Sequence, residues 1–315
     1  MQLEGIHHIT CITGDAPANV EFYARVLGLR LVKKTVNQDD PGVYHLFYAS
    51  EEGAAGSDLT FFEYPGAGRG RAGAGMVHTI AHRVGSPAAI AFWEERLRAE
   101  GVEVGREDDR LRFADPEGLG HELVVAEVPD APLVAHAVGV PDEHALQGFD
   151  HVRAFTADPE RSRALLADVL GFRELGPAEW EARGEHRGGR VAYDAPPPAP
   201  GRPGAGTVHH VAWAVPLEEI DDWQRRVSAA GARATDVIDR FYFRSVYFRE
   251  PSGVLFELAT LGPGFTADEP AESLGEGLSL PPRFEPLRER LAGVLTPLPD
   301  TRPWRRATAP AEYTR

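Results

Sequence analysis

The sequence predicts an α+β fold of four βαβββ units that form two curved mixed sheets. Three observations carry this. The chain repeats itself, each repeat reads as a strand, a helix and about three short strands, and the composition is that of a packed globular protein. Of 315 residues, 43% are hydrophobic and 26% charged, which leaves disorder as the main state unsupported. The length suits two domains at about 150 residues each.

The repeat is read directly. GIHHITCITGDAPANVEFYARVLGLR, from Gly5, matches GFDHVRAFTADPERSRALLADVLGFR, from Gly148, without a gap. GMVHTIAHRV, from Gly75, resembles GTVHHVAWAV, from Gly206, and DPEGLGHEL resembles EPSGVLFEL. Each unit opens with a run rich in Ile, Val and His. Asp15, Ser86 and Asp158 are placed to cap the helices that follow. Pro87 and Pro159 suit a first helical turn, where a missing N–H costs nothing. Gly28, Gly101, Gly171 and Gly231 are placed to end the four helices in a left-handed turn. Strands then recur as VYHLFYA, DLTFFEY, RLRFAD, HELVVAE, RVAYDA, SVYFRE and VLFELAT. The expected organisation is a domain over 1–128 (units one and two), a linker over 129–147, a domain over 148–262 (units three and four) and a tail over 263–315. One helix is expected in the tail near Pro286 to Val294.

Composition narrows the function. The net charge of −15 repels a phosphate backbone on average, so no nucleic-acid partner is expected. No apolar run approaches a membrane span. The N-terminus lacks a basic start and an apolar stretch. The single cysteine, Cys11, rules out a disulfide scaffold and a thiolate-rich zinc site. A cytoplasmic protein is expected, and a homo-oligomer is left open.

The chemistry gathers on histidine. His7-His8 and His209-His210 are adjacent pairs in first strands, and Glu257 stands inside the apolar run VLFELAT. Neighbours along a strand point to opposite faces, so one histidine of each pair is expected to face a pocket. An unpaired carboxylate in an apolar strand is costly. Two imidazoles and one carboxylate with open positions opposite form the facial triad of non-haem Fe(II). A single histidine in a strand is more often ordinary packing; the two equivalent pairs are what raise the metal reading. His151 occupies the repeat position of His8 and competes with it as first ligand. His8 is preferred because it lies in a matching pair. A second set would be His151, Thr79 and Glu122, one strong ligand short, so one metal per chain is expected. His78, His121 and Glu122 then read as polar strand residues and Glu63 as a surface residue. Asp58 is the candidate for a fourth ligand, which would favour isomerase chemistry. Phe243, Trp213, Phe241 and Phe265 are candidates for an aromatic wall.

The four units together with GIHHIT, GTVHHVAWAV and DRFYFRSVYFREPSGVLFE resemble the vicinal oxygen chelate (glyoxalase-like) superfamily, and more narrowly its hydroquinone-type ring-cleaving dioxygenases. The tail GFTADEPAESLGEGLSLPPRFE is similar to the same branch. The resemblance spans residues 3–291. It implies Fe(II), or Mn(II), held by His8, His210 and Glu257, and pocket roles for His7, Thr10, His209, Arg240 and Tyr247. His151 is a departure from that branch. The implied partners are a small aromatic diol, hydroquinone or catechol, and O2. Cleaving the O–O bond needs a proton, for which His209 or His7, titrating near neutrality, is suited. Tyr247 would donate to a bound oxygen, and Arg240 would hold a phenolate or carboxylate, or pair at the surface with Asp239 or Glu250. Two alternatives remain: a glyoxalase-like metal-dependent isomerase or lyase, and a metal-free binding protein of the resistance type.

Overall fold

The computed structural model describes residues 1–306. Unit one carries β1 (Ile6–Thr13), β2 (Arg30–Asn37), β3 (Asp40–Ala49) and β4 (Asp58–Glu63). Unit two carries β5 (Val77–Val84), β6 (Val104–Glu107), β7 (Arg110–Ala114) and β8 (Gly120–Val125). Unit three has β9 (Phe149–Phe155), β10 (Arg173–Gly176), β11 (Glu179–Arg183) and β12 (Gly188–Asp194). Unit four has β13 (Thr207–Val215), β14 (Ile238–Asp239), β15 (Arg244–Arg249) and β16 (Leu255–Thr260). Each unit is therefore βαβββ.

The units pair across the chain. One eight-stranded sheet runs β14-β15-β16-β13-β1-β4-β3-β2 and joins units one and four. The other runs β10-β11-β12-β9-β5-β8-β7-β6 and joins units two and three. Each sheet thus draws one unit from 1–128 and one from 148–262.

The helices are α1 (Ala16–Val20), α2 (Pro87–Ala99), α3 (Glu160–Arg163) and α4 (Ile220–Ala229). Asp15 accepts from the N–H of Ala18 and Ser86 from that of Ala89, as their positions predict. Asp158 does not cap: α3 begins one residue later on Pro159, and no side chain closes its first turn. Both α1 and α3 run on into a wider π-type coil, Glu21–Val26 and Ala164–Val169. Gly28, Gly101, Gly171 and Gly231 all adopt positive φ, the left-handed stop expected of them.

The main core fills the space between the sheets and the helices. Ile9, Phe61, Ile80, Leu123, Val152, Trp213 and Phe256 supply it from the strands; Tyr23, Trp93 and Trp223 supply it from the helical segments. The tail does not float. Ser279 N–H donates to the carbonyl of Lys34 at 2.8 Å and Leu278 bridges Lys34, so the tail adds a partial strand beyond β2. Lys33 is fully buried beneath it, bound to Asp268 at 2.8 Å, to the Phe265 carbonyl at 3.1 Å and to Glu269. The expected tail helix is present as α5 (Arg288–Ala292); positions 307–315 of the tail lie outside the described residues. No helix among the described residues is long and apolar enough to cross a membrane.

Candidate metal centre

The centre sits on the face of the first sheet turned away from the main core. Period-two alternation puts Ile9, Leu59, Val211 and Phe256 into the core and leaves His8, His210 and Glu257 on the opposite face. His8 Nε2 and His210 Nε2 lie 3.1 and 2.8 Å from Glu257 Oε2, and 3.2 Å from each other. All three residues are buried. With bonds of about 2.1 Å, neighbouring octahedral ligands stand about 3.0 Å apart and tetrahedral ones about 3.4 Å. The spacing matches one octahedral face. Neither Glu257 oxygen has a hydrogen bond of acceptable geometry, although both are buried. Buried carboxylates are kept when paired or metal-bound, so this donor set fits a divalent cation. Burial opposes the charge on Glu257, yet the His8 and His210 imidazoles hold its carboxyl well below the usual range.

The two histidine pairs do not alternate across the sheet as a regular strand would. In β1 against β13 the register slips between Ile6 and His8, and again between Thr10↔His210 and Cys11↔Val208. His7 and His209 are the extra residues of two β-bulges, which re-aim side chains locally. Each bulge histidine turns onto its neighbour: His7 Nδ1 lies 2.9 Å from His8 Nδ1, and His209 Nδ1 2.8 Å from His210 Nδ1. The network assigns the tautomers. His7 Nε2–H donates to the Thr260 carbonyl at 3.1 Å. Its Nδ1 then accepts from His8 Nδ1–H, which leaves the Nε2 lone pair of His8 bare for a metal. Burial first, then His8, pushes His7 down to about 3. His209, whose outer edge is exposed, is also pushed below its usual value, by partial burial and then by His210. Burial thus favours the neutral imidazole at both positions.

The internal symmetry explains why three ligands converge and not four. Ile9 pairs with Val211, so His8 and His210 are equivalent about that point, as are Thr10 and Ala212. Glu257 pairs with Ala212, and the equivalent position, opposite Thr10, is Thr60. The fourth corner therefore holds a hydroxyl. Thr60 Oγ1 bonds Thr10 Oγ1 at 2.8 Å and His45 Nε2 at 2.9 Å. Asp58 lies one pleat away, opposite His8, with both oxygens buried and without a hydrogen-bond partner. Burial raises its carboxyl to about 7, with His8 pulling back. It is outside the cluster of convergent ligand atoms.

A cavity of about 30 Å³ opens on His8 and His210, with His45, Phe62, Arg240, Phe243 and Tyr247 among its walls. Tyr247 stands opposite Glu257 in the β15–β16 pairing, edge-on to His210 at 5.5 Å. Burial keeps its hydroxyl protonated far above the usual range. Arg240 lies over the Tyr247 ring at 5.5 Å and binds both oxygens of Asp39 at 3.0 Å. Its partner is thus Asp39, not Asp239 or Glu250. Phe243 packs 5.0 Å from His8, and Phe265 and Phe47 lie in the same apolar floor. Phe241 packs on Tyr242 at the edge of that floor. Trp213 belongs to the main core, against Phe172 at 4.7 Å, and forms no part of the wall. Glu63 is buried and accepts from Thr296, against the surface expectation.

His45 was missed from sequence. The alternation in VYHLFYA, with Leu46 and Tyr48 inward, places it beside Phe47 on the pocket face. Burial, then the His8 and His210 imidazoles, keeps it neutral, well below its usual value.

His151 lies in the other sheet, so it does not meet His210 and Glu257. It stands 3.7 Å from Glu122 and 2.7 Å from Asp150. By the same symmetry Glu122, opposite Ala81, corresponds to Glu257, and Thr79 to His210. Guanidinium groups occupy the cationic role there: Arg110 and Arg112 approach Glu122 Oε1 at 3.1 and 3.5 Å.

The glyoxalase/bleomycin resistance protein/dioxygenase superfamily model matches residues 5–123 and 148–258. The chain belongs to this superfamily. It is 40% identical over 302 residues to a Bacillus subtilis protein provisionally named ring-cleaving dioxygenase MhqO, covering 93% of this chain and 96% of that one. It is 31% identical over 308 residues to the chlorohydroquinone/hydroquinone 1,2-dioxygenase of Sphingobium indicum, covering 92% and 95%. A crystal structure of a provisionally assigned dioxygenase from Bacillus subtilis superposes with a TM-score of 0.85 at 38% identity, over 95% of this chain and 98% of that one. Maize glyoxalase I shares the fold, with a TM-score of 0.57 at 14% identity over 84% and 93%.

Proposed function

We propose that this protein is a non-haem Fe(II) dioxygenase that opens the ring of a hydroquinone- or catechol-type diol with O2. The observation that carries the reading is the three-ligand face with Thr60 at the fourth corner. A second carboxylate there would complete a closed Lewis-acid site; a hydroxyl leaves room for both diol and O2. Bound Fe(II), or Mn(II), held by His8, His210 and Glu257, would supply a common coordination sphere and a route for electron density from ring to O2.

The remaining roles follow from this chain's own groups. A diol must shed a proton to bind as a phenolate. His45, neutral and facing the cavity, is the base in reach, steadied by Thr60. Tyr247 keeps its proton and donates to the oxygen side. Arg240 sets the Tyr247 ring and adds positive charge near the phenolate. His7 and His209 fix the tautomers of the two ligands. Phe243 and the apolar floor exclude water. A cavity of roughly 150 Å³ is what benzene needs, so ring entry requires the wall at Asp39 and Arg240 to open. The compartment in this reading is the cytoplasm, consistent with one buried cysteine.

The test is anaerobic loading with Fe(II), then oxygen-electrode assay on substituted hydroquinones and catechols. One O2 consumed per ring opened is expected. Zinc- or nickel-dependent isomerisation of a thiol hemiacetal, without O2 uptake, would overturn the reading.

A further inference from the structure

Away from the metal cavity, two clefts are copies of each other with reversed charge. The first, about 450 Å³, lies between the coil after α1 and the exit of α2; the second, about 710 Å³, lies between the coil after α3 and the exit of α4. Their walls match position by position through the repeat. Phe22 corresponds to Leu165, Val26 to Val169, Gly101 to Gly231 and Pro116 to Pro251. The charges do not match. Glu103 becomes Arg233, Ala18 becomes Arg161, Ala114 becomes Arg249 and Arg25 becomes Asp168.

The first cleft pairs its guanidinium group: Arg25 binds Glu100 at 2.7 Å and Glu21 at 3.0 Å. The second does not. Arg161, Arg233 and Arg249 are exposed, and none makes an ion pair among the described residues; Arg249 donates only to the Gly253 carbonyl. Three unpaired guanidinium groups against one carboxylate, Asp168, around an apolar floor of Leu165, Val169 and Ala232 stand out on a chain of net charge −15. Guanidinium groups match carboxylates in geometry and charge, and the floor takes an apolar body.

We propose that this second cleft is a binding site for a small organic anion, a carboxylate carried on an apolar chain or ring. The carboxylate lies among Arg161, Arg233 and Arg249, and the body lies on Leu165 and Val169. The site shares no wall residue with the metal cavity.

Octanoate is the probe, titrated into the full-length protein by calorimetry, with octan-1-ol and inorganic phosphate as partial ligands. Octanoate is expected to bind one per chain, more weakly at high salt, and at least tenfold more tightly than either partial ligand. Arg161→Ala/Arg233→Ala should weaken it at least tenfold, with the thermal midpoint unchanged because both residues are exposed. Glu103→Gln in the matching cleft should leave it unchanged. Equal affinity in the arginine variant, or octan-1-ol binding as well as octanoate, overturns the proposal. So does the absence of any octanoate heat.

Discussion

At the residue scale the site turns on which atoms have nothing else to do. Glu257 is buried with no hydrogen bond that satisfies it, and the Nε2 lone pairs of His8 and His210 point at the same place. His210→Ala and Glu257→Ala should each abolish stoichiometric iron retention; metal analysis after desalting checks this, and full occupancy would mean the ligands lie elsewhere. Tyr247→Phe should retain iron and lower kcat about 10- to 100-fold, the span expected when one proton donor is removed. His45→Phe keeps the packing against Phe47 and Phe62 but removes the base. It should keep iron, lower kcat, and make turnover rise with pH as the diol ionises unaided. Much of this was legible in the sequence. A carboxylate in an apolar strand and histidine pairs at equivalent repeat positions are local signals. His45 was not, because a histidine in an aromatic strand gives no local sign of which face is the pocket. Nor was the tautomer relay, because it depends on bulges at His7 and His209 that only the pairing with the other strand creates.

At the element scale the tail acts as a clamp on the edge of the first sheet. Arg30 reaches the carbonyls of Ala271 and Glu272 at 2.9 and 3.1 Å, and Lys33 holds Asp268 and Glu269. Lys33 is buried while Asp268 and Glu269 are reached by water, so losing these charge-assisted hydrogen bonds costs about 1.5–3 kcal/mol. Lys33→Met should lower stability by that order in denaturant titration and speed proteolytic cleavage after residue 262. Unchanged cleavage would show that the clamp rests on β2 pairing alone. The strands and their order were readable from alternation and turn residues. The partnership of units was legible only through the histidines: preferring His8 to His151 puts units one and four in one sheet, as found, whereas four similar first strands by themselves offer equivalent edges. Asp158 stands one residue too early to cap: α3 starts at Glu160 with Pro159 in the cap position, so no side chain closes the first turn.

At the scale of the whole molecule, charge ties the second sheet to the linker. Asp130 of the 129–147 segment binds Arg83 of β5 at 2.5 Å and Arg183 of β11 at 2.6 Å. Burial opposes its charge, but these guanidinium groups and the Gly188 N–H bring its carboxyl down to about 2. A carboxyl depressed in the folded state adds stability above its unfolded value of about 3.9, lost as pH falls through the folded value. Asp130 therefore contributes fully at neutral pH and its contribution fades between about pH 4 and pH 2. Asp130→Asn should lower the thermal midpoint at pH 7 and flatten its fall between pH 4 and pH 2. Parallel curves for the two proteins would remove Asp130 from the account.

The central position of β1, held between β13 and β4, carries a consequence for synthesis. Domains form as their strands leave the ribosome, and long-range pairings come late. Units two and three are consecutive, so their sheet is able to close first. β1 can pair early with β4 on one edge, but its other edge waits for β13, made some two hundred residues afterwards. Assembly of the three-residue cluster is thus deferred until β13 and β16 have been made, and a chain cut short before them lacks two of the three converging side chains, however well its first half folds.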